Sequence, residues 1–205
     1  MGTLSCLILN LLLTSPVSPG VFGQVFQGNK ASVLLVKTSD SNELFTTGFV
    51  VGARGEVLFG LAGRKKPTQI RVKTSTGAWL KAQVLATNPK LGLGLARLQG
   101  SRPGRFAPLG IGASEVLRPE NWLVVLAHDK EKQESEPFAG TLRARVRKKG
   151  QALQLELDIP GDRGSPVLTT GGKWVGVVHR PGRRNSTAWT VETVVQFLRG
   201  VALDQ

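Results

Sequence analysis

From Gln24 onward the chain is built of short apolar runs, many of them alternating apolar with polar, each closed by Gly, Pro, Asn or Asp. Ser32–Val36, Leu44–Val51, Val57–Phe59, Gln69–Val72, Trp79–Ala86 and Leu93–Leu98 read as strands. A Pro/Gly/Arg stretch, Gly100–Pro108, interrupts the pattern and reads as a linker between two halves. The style then resumes with Trp122–Ala127, Thr141–Val146, Leu153–Leu157, Pro166–Leu168, Trp174–His179 and Ala188–Val191, with Asp129–Glu136 as a charged loop. Runs of this length are strands rather than helices, and many of them separated by turn signals predict an all-β sandwich or barrel. Only Glu192–Leu198, with Val194, Val195 and Leu198 on one face, predicts a helix.

Residues 1–23 differ from the rest. Leu4–Leu13 is apolar except for Ser5, Cys6 and Asn10, and a Pro/Ser/Gly stretch leads to Gly23. The run is shorter than the roughly 20 apolar residues a bilayer span needs. It predicts a secretory signal cleaved after Gly23, with an uncleaved membrane anchor as the alternative. Cys6 is the one cysteine, so a mature chain from residue 24 has no disulfide and no thiol chemistry. The formal charge is +13, and none of it lies in residues 1–23. Such a field favours acidic partners.

Four stretches in order resemble the trypsin-like serine proteases of the HtrA/Deg type. They are Gly48–Phe59 (GFVVGARGEVLF), Asn88–Leu98 (NPKLGLGLARL), Pro108–Leu126 (PLGIGASEVLRPENWLVVL) and Pro160–Leu168 (PGDRGSPVL) with Gly172–Val178. The resemblance covers roughly Ala31 to Leu198. It implies two six-stranded antiparallel β-barrels with a short C-terminal helix: a first barrel at about 31–99, a linker at 100–108, and the second barrel with the helix at 109–198. Relatives often carry a peptide-binding PDZ domain after the protease, and none is expected here.

The resemblance also places the catalytic triad. Acyl transfer by such enzymes needs an attacking hydroxyl, an imidazole that takes its proton and a carboxylate that orients the imidazole. The histidine position falls on Ala62, the aspartate on Gly92 and the serine on Arg163. Alanine and glycine carry no titrating group, and a guanidinium stays protonated. The expectation is a pseudoprotease with no catalytic residues. The alternatives are a serine endopeptidase with a rearranged site, for instance Ser165 with His179, and a structural or regulatory module of an active relative. Ser165 lies two residues past the nucleophile position, about 6 Å away at strand pitch.

What the scaffold still offers is binding. Gly161, Gly164 and Pro166 keep the loop pattern, so N–H groups near Gly161 and Arg163 could form an anion-binding nest, although Ser165 replaces a glycine of the family. Arg163 would project into the old cleft, to plug it or to pair with a carboxylate or phosphate, or would stand as an exposed loop side chain. Arg64, His179 and Arg180 are expected nearby, with Gly161, Arg163 and Ser165 as binding residues. Arg143, Arg145 and Arg147 alternate on one strand, which predicts a shared face extended by Lys148 and Lys149. The expected partner is an acidic protein, an extended peptide held by strand-type hydrogen bonds, or an envelope polyanion. Sequence-specific nucleic acid is not expected, because aromatic residues do not interleave with the cations. Two separated histidines give no metal spacing, and no cofactor is expected. The location implied is secreted, periplasmic or cell-envelope.

Overall fold

A computed structural model describes residues 18–38, 45–61, 66–100, 106–129, 134–147 and 152–203. The expected signal segment therefore lies mostly outside the described residues. Helix α1 (Pro19–Asn29) and a 3-10 turn (Lys30–Ser32) lead into twelve strands. These are β1 (Val33–Thr38), β2 (Phe45–Val50), β3 (Glu56–Gly60), β4 (Gln69–Lys73), β5 (Trp79–Asn88) and β6 (Leu93–Leu98), then β7 (Trp122–Asp129), β8 (Glu134–Val146), β9 (Gln154–Leu157), β10 (Pro166–Thr169), β11 (Trp174–Arg180) and β12 (Ser186–Thr190). Helix α2 (Val191–Leu203) follows. The strands close into two six-stranded antiparallel barrels, in the orders β1-β2-β3-β6-β5-β4 and β10-β11-β12-β9-β8-β7. The expected fold class is thus the observed one.

The burial pattern explains the sequence. Where one face of a strand meets solvent the alternation is clean: β4 exposes Gln69 and Arg71 and buries Ile70 and Val72. Where the barrels meet, a strand is apolar on both faces. Residues 33–36 of β1 are all buried: Leu34 and Val36 fill the first barrel, and Val33 joins a seam between the two. On β7, Leu123 and Val125 fill the second barrel while Val124 and Leu126 enter the seam. At the centre of the seam Phe49 meets Trp174 edge-on, with ring centroids 5.1 Å apart.

Two elements depart from the sequence expectation. The charged segment Asp129–Glu136 is not simply a loop, because β7 and β8 stay paired as far as Asp129 opposite Glu134. Helix α1, whose three glycines favour turns, was not expected, although Val21, Phe22, Val25 and Phe26 recur at helical spacing. It forms because its apolar side chains find tertiary partners. Pro19 starts it with φ already set, Val25 is buried in the seam, and Phe22 packs on Trp122 at 5.4 Å. The Asn29 amide closes it by donating to the Val25 carbonyl at 2.7 Å. The helix runs through the expected boundary at Gly23. No helix among the described residues is long and apolar enough to cross a membrane.

The segment between the barrels is stitched to both. Ser32 Oγ donates to the Ala107 carbonyl at 2.6 Å, and the Leu109 N–H donates to Val50 O at 3.1 Å. Gly112 N–H then donates to Trp174 O at 2.7 Å. Fully buried Ser114 ties this segment to α2, its N–H donating to Glu192 Oε1 at 2.9 Å and its hydroxyl to Oε2 at 2.5 Å. Burial alone would raise the Glu192 pKa, but hydrogen bonds from Ser114 above all, with its own N–H and Thr190, outweigh it and hold the carboxyl below its usual range. Ser114→Ala is expected to lower Tm by about 3–6 °C, from the loss of roughly 1.5 kcal/mol of charge-assisted hydrogen bonding. A depressed carboxylate pKa stabilises above the unfolded value and loses that contribution as pH falls through the folded one. The Tm gap to wild type should therefore close in thermal unfolding below about pH 4.

Candidate functional site

The turn Pro160–Pro166 lies where the barrels approach each other. On one side Gly164 N–H donates to Val178 O at 2.8 Å, and Val178 N–H returns to Ser165 O at 2.9 Å. On the other side Thr47 N–H of the first barrel donates to the Arg163 carbonyl at 3.0 Å. Gly164 holds φ at +88°, and a Cβ there would stand 1.9 Å from Thr47 O and 2.4 Å from Gly60 N. Only glycine fits, both by conformation and by space.

This seating aims Arg163 between the end of β3 and the start of β6. Its Nη1 makes a long hydrogen bond of 3.5 Å to the Leu61 carbonyl. Its Cγ is 2.7 Å from where a Cβ on Gly60 would stand, and Nη1 is 3.4 Å from where a Cβ on Gly92 would stand. Leu61 N–H donates to Gly92 O at 2.9 Å, closing the ring of backbone around the side chain. Gly92 and Arg163, two of the three positions that the resemblance assigns to the triad, are thus in contact. Ala62, the third, and Arg64 lie outside the described residues, although Leu61 next to Ala62 touches the guanidinium.

His179 stands beside this group. Its ring stacks on Trp189 with centroids 4.0 Å apart and planes 16° apart. Its Nε2 is buried without a hydrogen-bond partner. Burial, with the charges of Arg180 and Arg163, lowers its pKa to about 4, so the ring is neutral at physiological pH. Trp189 in turn donates its Nε1–H to the Leu91 carbonyl at 2.7 Å, locking the second barrel to the turn before Gly92. Nothing in the sequence marked Trp189 for this part, because the partner is 98 residues away.

Several expectations need correction. Ser165, expected among the binding residues, is fully buried with its Oγ unpartnered, so its hydroxyl reaches neither the cleft nor His179. The expected shared face of Arg143, Arg145 and Arg147 is broken by a bulge. The register shifts between Leu142 and Ala144, so Arg145 pairs with Leu155 two residues before Leu157, the partner of buried Leu142. Arg145 therefore takes the face of Leu142, where its Nη1 donates to Glu115 O at 2.8 Å, while Arg143 and Arg147 are exposed. Lys148 and Lys149 lie outside the described residues.

His128, near the end of β7, has a partner across the hairpin that the sequence does not suggest. It stands directly opposite Ser135 across β7 and β8, with Nε2 3.0 Å from Oγ. Nδ1 is buried without a partner. Burial first, and the Lys73 charge second, lower its pKa to about 4. His128 lines two open clefts. One, of about 580 Å³, also involves Gly161, Asp162, Phe138, Gly182 and Arg183. The other, of about 700 Å³, involves Phe26, Lys30, Lys73, Glu134 and Ser135. Arg180 and Arg183 are exposed beside the Arg163 turn, whose Gly161 bridges to Gly182.

An imidazole whose folded pKa lies below its unfolded value destabilises the fold as pH falls from about 6.5 toward 4. Each histidine contributes a slope of at most about 1.4 kcal/mol per pH unit in that window. Tm is expected to fall between pH 6.5 and 4, and His128→Asn is expected to flatten the decline, as read by calorimetry across that range.

The trypsin-like peptidase domain family matches residues 38–177. Among solved structures the HtrA-type protease AlgW with tripeptide is similar, with a TM-score of 0.78 at 13% identity, over 88% of this chain and 63% of that one. A serine-to-alanine form of AlgW with tripeptide gives 0.77 at 13% identity over the same shares. The inactive serine-to-alanine form of Rv3671c from M. tuberculosis H37Rv gives 0.75 at 18% identity, over 93% of this chain and 96% of that one. The chain spans less than two thirds of the length of AlgW. No curated protein matches it in sequence. With two six-stranded barrels and a family match over 38–177, the chain belongs to the trypsin-like peptidase family.

Proposed function

We propose that this chain is a catalytically inactive member of the family that binds an acidic, extended polypeptide in the cleft between its barrels, in a secreted or cell-envelope setting. The observation that carries the reading is the Arg163 side chain, wedged between the Leu61 carbonyl and Gly92. A guanidinium there attacks nothing, and it presents N–H donors and a positive charge. Arg180 and Arg183 add charge at the same edge, and the net charge of +13 steers acidic ligands toward it. AlgW, of similar fold, is described with a tripeptide, which supports an extended peptide as the occupant.

A second reading rests on Ser135 and His128, a hydroxyl and an imidazole 3.0 Å apart beside an open groove. They would form a displaced hydrolytic pair. Weighing against it, His128 Nδ1 has no carboxylate among the described residues to orient the ring, and an imidazole with a pKa of about 4 is a poor base.

Fluorophosphonate labelling separates the two. No serine of the folded protein is expected to label, and Arg163→Ser is not expected to gain labelling, since Gly92 still supplies no carboxylate. Labelling that disappears in Ser135→Ala would establish the displaced pair and overturn the inactive reading. Binding is tested by anisotropy of a fluorescent oligoglutamate. Arg163→Met, which keeps bulk and removes charge, is expected to weaken capture by about ten-fold or more. Unchanged affinity would remove Arg163 from the site.

A further inference from the structure

Away from the cleft, the outer face of the first barrel gathers cations that are scattered along the sequence. Lys37 on β1 stands opposite Arg71 on β4, and Arg71 stands opposite Lys81 on β5. Three cations thus share one rung across three adjacent strands, about 4.8 Å apart from strand to strand. Their neighbours Val36, Ile70, Val72 and Ala82 fill the barrel, so the three side chains leave on the outer face. Arg71 and Lys81 are exposed and Lys37 is half-buried. The next rungs add Gln69 opposite Gln83 and Lys73 opposite Trp79, with no carboxylate on β4 or β5.

Like charges placed directly opposite each other destabilise a sheet. Here aromatic rings hold two of the three cations in place. Arg71 lies over Trp79 with 5.3 Å to the ring centroid, and Lys37 lies over Phe45 at 5.5 Å. A cation fixed on a ring has less rotamer freedom left to lose when an anion binds.

We propose that this rung is a docking site for a sulfated linear polysaccharide lying across the strands. A row of three cations, two of them held on rings, suits a chain whose acidic groups recur at short intervals, and the exposed Gln83 amide beside it suits hydroxyl groups. Trp79 and Phe45 each carry a cation of the patch on one ring face, which leaves fewer open stacking faces than single-stranded nucleic acid uses. The site is separate from the Arg163 cleft and stands whether or not that cleft binds peptide.

The test is titration of the full chain with a fluorescent heparin oligosaccharide between about 50 and 200 mM salt. Wild type is expected to bind with a slope of log affinity on log salt of about −2 to −3, and Arg71→Gln/Lys81→Gln to flatten that slope by about 2 and weaken binding at least about ten-fold. Arg180→Gln/Arg183→Gln makes the same change of net charge at the cleft and is expected to stay within about two-fold of wild type. Equal losses in both double variants would overturn the proposal, since net charge alone would then explain binding. Tighter capture of a single-stranded oligonucleotide of equal charge through Arg71 and Lys81 would overturn the choice of ligand. Lys81→Gln alone is expected to raise Tm by about 1–2 °C by relieving repulsion on the rung. A fall in Tm would show that Lys81 serves the fold instead. Arg163→Met is expected to leave heparin binding unchanged, so failure here and failure of the cleft reading remain distinct.

Discussion

Strands β1 and β7 bury both of their faces, and this follows from the dry seam between the barrels. Val33, Phe49, Leu58 and Leu93 come to it from one side and Val124, Leu126, Leu168, Trp174 and Trp189 from the other. The seam also recruits Val25 of the first helix and Val191 and Val194 of the last. Burying apolar surface is worth roughly 25 cal/mol per Å² removed from water, and the barrels have no disulfide to share that task among the described residues. Barrel closure, helix docking and the stitched linker all serve to keep water out of this surface.

At the rim of the seam, packing turns into chemistry. The Thr47 N–H fixes the Arg163 carbonyl, and Gly164 and Gly60 leave no room for any other path of the turn. The Arg163 side chain is therefore placed by the same backbone contacts that join the barrels. Burial, and then the charges of Arg180 and Arg163, keep the neighbouring His179 neutral, and the Trp189 ring beneath that histidine is itself tied to the turn before Gly92. A cation and a neutral, unprotonated imidazole side by side form an environment that receives negative charge and does not supply a strong base.

Much of the fold was legible in the chain. Leu93–Leu98 was read with its observed bounds, and most other strands to within a few residues, because alternation and turn residues are local signals. Helix α1 was hidden by its three glycines and by the signal-segment pattern before it, since its apolar face gains its value only from Trp122 and the seam, which are distant in sequence. The site was half legible. Ordered motifs singled out Gly92 and Arg163, which stand close together, whereas the burial of Ser165 and the turning of Arg145 away from Arg143 were not legible. A one-residue bulge reverses every later side chain, and nothing between Leu142 and Val146 announces one.

By itself the sequence determined the class of fold and the chemistry that its loops can carry. Residue type and period-two patterning act over a few residues, and they allow neither a helical bundle nor a carboxylate or nucleophilic hydroxyl at the positions occupied by Gly92 and Arg163. The tertiary structure decided which side chains meet: Ser135 with His128, Trp189 with Leu91, Arg71 with Lys37 and Lys81. Those pairings depend on strand register and barrel closure, which are fixed only when the whole seam is buried at once.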